Sequence, residues 1–216
     1  QAPIADQYRA VADRIIDAAL ADSSGAWTRL AALVDHSGSR LSGSAGLERG
    51  IDWVIAEMKK DGLANVRGEP VMVPHWVRGK ESLALVQPRA ADVPMLALGG
   101  SIGTPAAGIT AEVLVVESYD DLTKRAAQAK GKIVLFDVPF TNYGQTVQYR
   151  SGGASAAAKV GAVAALLRSV GPYGMRTPHT GNMRYDSTVA KIPSAAIPME
   201  DAMMLHRMQQ RGVKLV

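Results

Sequence analysis

The stretch EVLVVESYDDLTKRAAQAKGKIVLFD, residues 112–137, decides the fold class. Its two ends, 112–116 and 132–137, are short apolar runs of strand length, and residues 119–129 between them read as a helix. Parallel strands need a long crossover, usually a helix, and this order supplies one. Further apolar runs at 95–98 and 162–167 stand on either side, punctuated by Gly and Pro, and an Ala-rich helix at 154–160 leads into the second of them. The order predicts a mixed sheet with flanking helices, an α/β (α+β mixed) fold.

Outward from this centre the chain is helical at both ends. Past Ile192-Pro193-Ser194-Ala195-Ala196-Ile197-Pro198 a helix is predicted at 199–210, with Met203, Met204 and Met208 among its apolar positions. Gly212 ends it, and residues 213–216 open another strand. An apolar strand left unpaired at an edge is a liability, so the chain is expected to be part of a longer protein. On the other side the texture changes at Gln87-Pro88. Before it, runs at 66–73 and 82–86 read as two strands joined across Arg78-Gly79-Lys80. Three helices precede them. One covers 5–20, and a second, capped by Ser23 or Ser24, carries Trp27, Leu30, Ala31 and Val34 and ends before Gly38. The third has the stripe Leu47, Ile51, Val54, Ile55 and Met58, with Lys59 and Lys60 in its last turn and Gly62 as the stop.

Composition narrows the function classes. Of 216 residues, 47% are hydrophobic and 20% charged, which excludes collagen-like chains and wholesale disorder. The longest apolar run, 160–167, is far below the roughly 18 residues of a membrane span. Twenty-four Lys and Arg against 20 Asp and Glu leave a net charge of +4, and the bases are scattered. A nucleic-acid surface wants a basic face with aromatics beside it, so no nucleic-acid partner is expected. Without cysteine there are no disulfides, no thiolate nucleophile and no Cys-type zinc site.

Local motifs name no reaction. His36, His75, His179 and His206 lie far apart, without H-x-D, H-x-x-x-H or H-E-x-x-H spacing. S-x-x-K does not occur, and Asp35-His36-Ser37 is only a sequence neighbourhood. Gly99-Gly100-Ser101-Ile102-Gly103 runs into Thr104-Pro105 rather than a helix, so the dinucleotide fingerprint fails. Ser151-Gly152-Gly153 is read as preceding a helix, where free N–H groups hold an anion or simply cap a loop. Just before it stand Tyr149 and Arg150, whose planar guanidinium can clamp a carboxylate. His179 sits in a long polar loop, 170–188.

Several strings in order carry a resemblance: Arg40-Leu41-Ser42-Gly43-Ser44, Pro74-His75-Trp76, Ser101-Ile102-Gly103-Thr104-Pro105, and Gly108-Ile109-Thr110-Ala111-Glu112-Val113. Gly131-Lys132-Ile133-Val134, Thr146-Val147-Gln148-Tyr149-Arg150 and Thr177-Pro178-His179-Thr180-Gly181 continue it. From about Leu33 to Val216 the chain resembles the carboxypeptidase Q (plasma glutamate carboxypeptidase) family of zinc exopeptidases. The resemblance implies a parent that cleaves small peptides with two zinc ions, is secreted or periplasmic, and forms a homodimer. It implies residues 1–87 as the N-terminal segment of the peptidase domain, 88–198 as an inserted protease-associated domain roofing the substrate cleft, and 199–216 as the return helix and strand. The family's metal ligands and general base follow the inserted domain, and no residue here aligns with them. No catalytic or metal residue is therefore assigned, no zinc is expected on this chain, and the chain alone is expected to be inactive. Tyr149, Arg150 and His179 are the candidates for substrate contact. The alternative is a non-enzymatic interaction module built on a protease-associated domain.

Overall fold

The structure, a computed structural model, describes residues 3–216 and divides the chain into two compact units, one ending at Trp76 and the other running Val77–Val216. The first is helical: α1 (Ile4–Ala21), α2 (Gly25–Ser37) and α3 (Ala45–Lys60). The start of α2 is held by Asp22, whose Oδ1 accepts from the Gly25 amide at 2.8 Å, rather than by a serine hydroxyl. At α3 the expected device is present, with Ser44 Oγ accepting from Leu47 N at 3.2 Å. Helices α2 and α3 pack on each other, and a bidentate Arg29–Asp61 pair at 2.6 Å ties the first turns of α2 to the residue after α3. Gly46 and Gly50 are the buried positions of α3. A Cβ on Gly46 would lie 2.0 Å from the Ser39 carbonyl oxygen, so only glycine lets the helix run this close to the 37–40 backbone.

The strand predicted at 66–73 does not form. Its backbone has no ladder partner, and Val71 and Met72 are 77% and 96% exposed, so the apolar run lacks the covering surface that would make it a strand. Of 82–86, only Ala84–Leu85 (β1) is strand, and it pairs antiparallel with β2 (Ala91–Asp92) rather than with the earlier run.

The second unit is built on a five-stranded sheet in the order β3-β7-β6-β5-β4. Strands β4 (Val113–Val116), β5 (Ile133–Phe136), β6 (Ala164–Arg168) and β7 (Ser194–Ile197) are parallel, and β3 (Leu96–Ala97) closes one edge antiparallel to β7. The inner strands are buried on both faces, which is why they read as continuous apolar runs and not as alternation. Val134, Phe136, Ala165, Leu167 and Ala196 face one core with α4 (Tyr119–Lys124) and α6 (Tyr143–Lys159). Leu135, Leu166, Ala195 and Ile197 face the other, where α7 (Met199–Gln210) lays down Ala202 and Leu205.

Four expectations are corrected here. The helix at 119–129 is two pieces, α4 and α5 (Ala126–Ala129), broken at Arg125, whose Nη1 donates to the Val115 carbonyl at 2.8 Å. The helix at 154–160 begins at Tyr143, capped by Asn142. Ser151-Gly152-Gly153 therefore lie inside α6 and cannot offer free amides. Gly153 is small because a Cβ there would come within 3.1 Å of the Phe136 ring. Strand β7, made of the small residues Ser194-Ala195-Ala196-Ile197, went unpredicted. Residues 213–216 form no strand, but Leu215 O accepts from Val113 N and Val216 O accepts from Val86 N and Gln87 N.

Candidate functional site

Ligands of open parallel sheets gather at the carboxyl ends of the strands, and here that edge is charged. Asp137 directly follows β5 and is buried, and Arg168 ends β6 with 12% of its side chain exposed. Arg168 Nη1 lies 3.2 Å from Asp137 Oδ1. His206, brought in by α7, places Nδ1 2.8 Å from Asp137 Oδ2, the geometry of an imidazole N–H donated to a carboxylate. Its Nε2 stands 3.8 Å from Glu117 Oε1 and 3.3 Å from Gln210 Nε2. Both Asp137 oxygens are thus engaged, so the cluster clamps α7 to the sheet, with the Gln210 amide against His206 Nε2. Sequence reasoning missed it: Asp137 and His206 are 69 positions apart. The only available signal was a charged residue ending each of two apolar runs.

Beside this edge, the shared strings around 146–150 and 177–181 meet. Arg150, on the buried side of α6, is 8% exposed. Its Nη2 donates to Tyr143 Oη at 2.6 Å, and Tyr143 also presents its ring 5.6 Å from the guanidinium carbon. Arg150 Nε is buried with no partner. Gly181 covers the guanidinium so closely that a Cβ there would sit 2.6 Å from Arg150 Cζ. The loop is fastened at both sides, with Gly99 N donating to Gly181 O and Arg184 N to Ser151 O.

The three candidates are not brought together as one constellation. Tyr149 points into the aromatic packing of the sheet face, stacked on Tyr119 at 4.5 Å and 5.7 Å from Phe136. Burial pushes the Tyr119 phenol up to about 12, with the Tyr149 phenol adding to it. His179 is exposed, and its backbone N–H donates to Ser169 Oγ at 2.8 Å. Ser169 Oγ in turn donates to the Ile197 carbonyl at 2.7 Å, so its hydroxyl proton is not free to leave in nucleophilic attack.

The same residues do not suit zinc. His206 keeps Nε2 as the nitrogen able to ligate, but it faces the Gln210 amide at 3.3 Å and Glu117 at 3.8 Å, and the Arg168 cation occupies an Asp137 oxygen. Among the described residues no three His, Asp or Glu side chains converge as metal ligands, and no helix is long and apolar enough to cross a membrane.

No family model matches the chain. Its similarity to individual proteins is extensive. Carboxypeptidase Q of Xenopus laevis is 51% identical over 211 residues, 97% of this chain and 45% of that protein. Carboxypeptidase Q of Homo sapiens is 52% identical over 190 residues, 88% of this chain and 40% of that protein. The crystal structure of a peptidase M28 precursor from Shewanella amazonensis superposes with a TM-score of 0.90 at 36% identity, covering 97% of this chain and 49% of that one. A zinc aminopeptidase from Bacillus subtilis shares the fold at a TM-score of 0.56 and 23% identity, over 85% of this chain and 40% of its own. The chain spans less than half the length of the curated relatives it matches. Over that span it is carboxypeptidase Q-like, with an M28 peptidase-like mixed α/β fold.

Proposed function

From this kinship with carboxypeptidase Q along 97% of its length, we propose that the chain is one portion of a zinc-dependent exopeptidase acting on small peptides. The carrying observation is the high identity over nearly all of this chain joined to only 45% of the relative. In this reading the chain contributes the roof of the substrate cleft, and the hydrolytic metal site belongs to the remainder of the parent. Residues 88–198 are assigned as the protease-associated domain. The strands of the mixed sheet, from Leu96 to Ile197, fall inside that span, which supports the assignment. Zinc, when bound in the parent, would polarise the peptide carbonyl and activate water. This chain's own residues position and exclude, and Tyr149, Arg150 and His179 stay the proposed substrate-side positions. An exported, dimeric parent is part of the same reading.

Titration calorimetry with zinc at neutral pH tests it. No stoichiometric uptake, together with no dipeptide hydrolysis after repurification, is the expected result. Uptake of one or two ions, or an activity lost with chelator, would overturn it.

A further inference from the structure

A guanidinium is charged at every pH a protein meets, and a buried charge without a counter-ion is strongly unfavourable. The partly buried Arg168 of the sheet unit obeys this rule, since it has Asp137. Arg150 does not. Though more than nine-tenths buried, it has no carboxylate within ion-pair distance among the described residues. Its one hydrogen bond goes to a neutral phenol, Tyr143 Oη, and its Nε is orphaned. Asparagine or glutamine at this place in α6 would fill space without that penalty. The surroundings also keep the fork fixed: Gly181 lies against it where any side chain would collide.

We propose that Arg150 is the anchor of an anion subsite at the junction of α6 with the 177–184 loop, and that its ligand is the free carboxylate of a peptide. The choice of a peptide carboxylate rests on the exopeptidase reading above; the anion requirement rests on the unpaired charge alone. Arg150 offers the partnerless N–H groups of its fork to a planar, two-oxygen acceptor. Tyr143, which accepts from Nη2 and is half-exposed, is left with its own hydroxyl proton to donate to the same ligand. Gly181 acts as a positioning residue, holding the guanidinium plane in register.

The test uses this chain, N-acetyl-glycyl-glycine as the probe, its C-terminal amide as the neutral control, and inorganic phosphate as the competing anion. The Arg150 Nε–H resonance, followed by ¹⁵N NMR, is expected to shift on titration with the acid and not with the amide. Gly181→Ala, which displaces the guanidinium but keeps its charge, is expected to weaken binding about tenfold or more, the scale of one charge-assisted hydrogen bond. Arg150→Gln is expected to abolish it, and Tyr143→Phe supplies a surface variant should that protein not fold. A shift equal for acid and amide, or binding retained in Gly181→Ala and Tyr143→Phe, overturns the subsite. Phosphate binding as tightly as the acid overturns the peptide-carboxylate assignment. A chain that takes up zinc or hydrolyses dipeptides defeats the functional reading and leaves the subsite standing. A silent Nε–H defeats the subsite and leaves the functional reading in place.

Discussion

The helical unit and the sheet unit spend apolar residues in opposite ways. In α1 no residue is buried, and Ile15 on its apolar stripe is 65% exposed. Trp27, Leu30 and Val34 of α2 and Ile51, Val54 and Met58 of α3 are exposed as well. In β5, by contrast, all four residues are buried, and Phe136 is 1% exposed. Amphipathic spacing therefore says that a helix has a face to cover, but not what covers it. A strand that pairs on both sides and meets a core on each face has its surroundings fixed by its own neighbours.

The chain carries its own reporters for this contrast: Trp27, Trp53 and Trp76 lie in the helical unit with the single Tyr8, and Tyr119, Tyr143, Tyr149, Tyr173 and Tyr185 in the sheet unit. The largest effect is expected in the sheet. Phe136→Ala removes a ring packed against Tyr119, Tyr149 and Gly153, and a loss of about 3–5 kcal/mol is expected from urea unfolding followed by tyrosine circular dichroism. Asp137→Ala belongs to the same class, since it strands the largely buried Arg168 cation and frees His206, at a cost of about 3–5 kcal/mol. A loss below 1 kcal/mol in either would erase the distinction between the units.

Gly153→Val comes next. Its side chain would have to displace the Phe136 ring, and about 1–3 kcal/mol is expected from the same measurement. Acid titration gives a smaller signal. Lys159 and Thr188 hold the Asp186 carboxyl well below its ordinary value of 3.8. A depressed carboxylate stabilises the fold fully above that ordinary value and loses the contribution as the pH falls further. The urea midpoint of the sheet unit should thus fall below about pH 4, and Asp186→Asn should flatten that fall while leaving its slope near neutrality unchanged. Smallest of all is Ile15→Gln on the exposed stripe of α1, expected to move the tryptophan-detected midpoint by under about 0.5 kcal/mol. A larger loss would show that this face is covered in solution, and would break the comparison outright.

The sequence by itself determined the α/β class, the strands near 113–116, 133–136 and 164–168, the three leading helices and the helix Met199–Gln210, because each is a local run whose period or continuity shows in the chain. It also carried the resemblance that led to carboxypeptidase Q. Only the tertiary structure decided the rest. The 66–73 run reads like a strand, yet strandhood needs a partner that periodicity does not supply. Ser194–Ile197 reads like nothing, yet it sits between β3 and β6 because small side chains fit there. Ser151-Gly152-Gly153 reads like a turn, yet it is helix, because glycine's cost in a helix is outweighed by close packing on Phe136. The Asp137–Arg168–His206 clamp and the unpaired Arg150 exist only in space, since pairing of charge depends on what the fold places within about 4 Å.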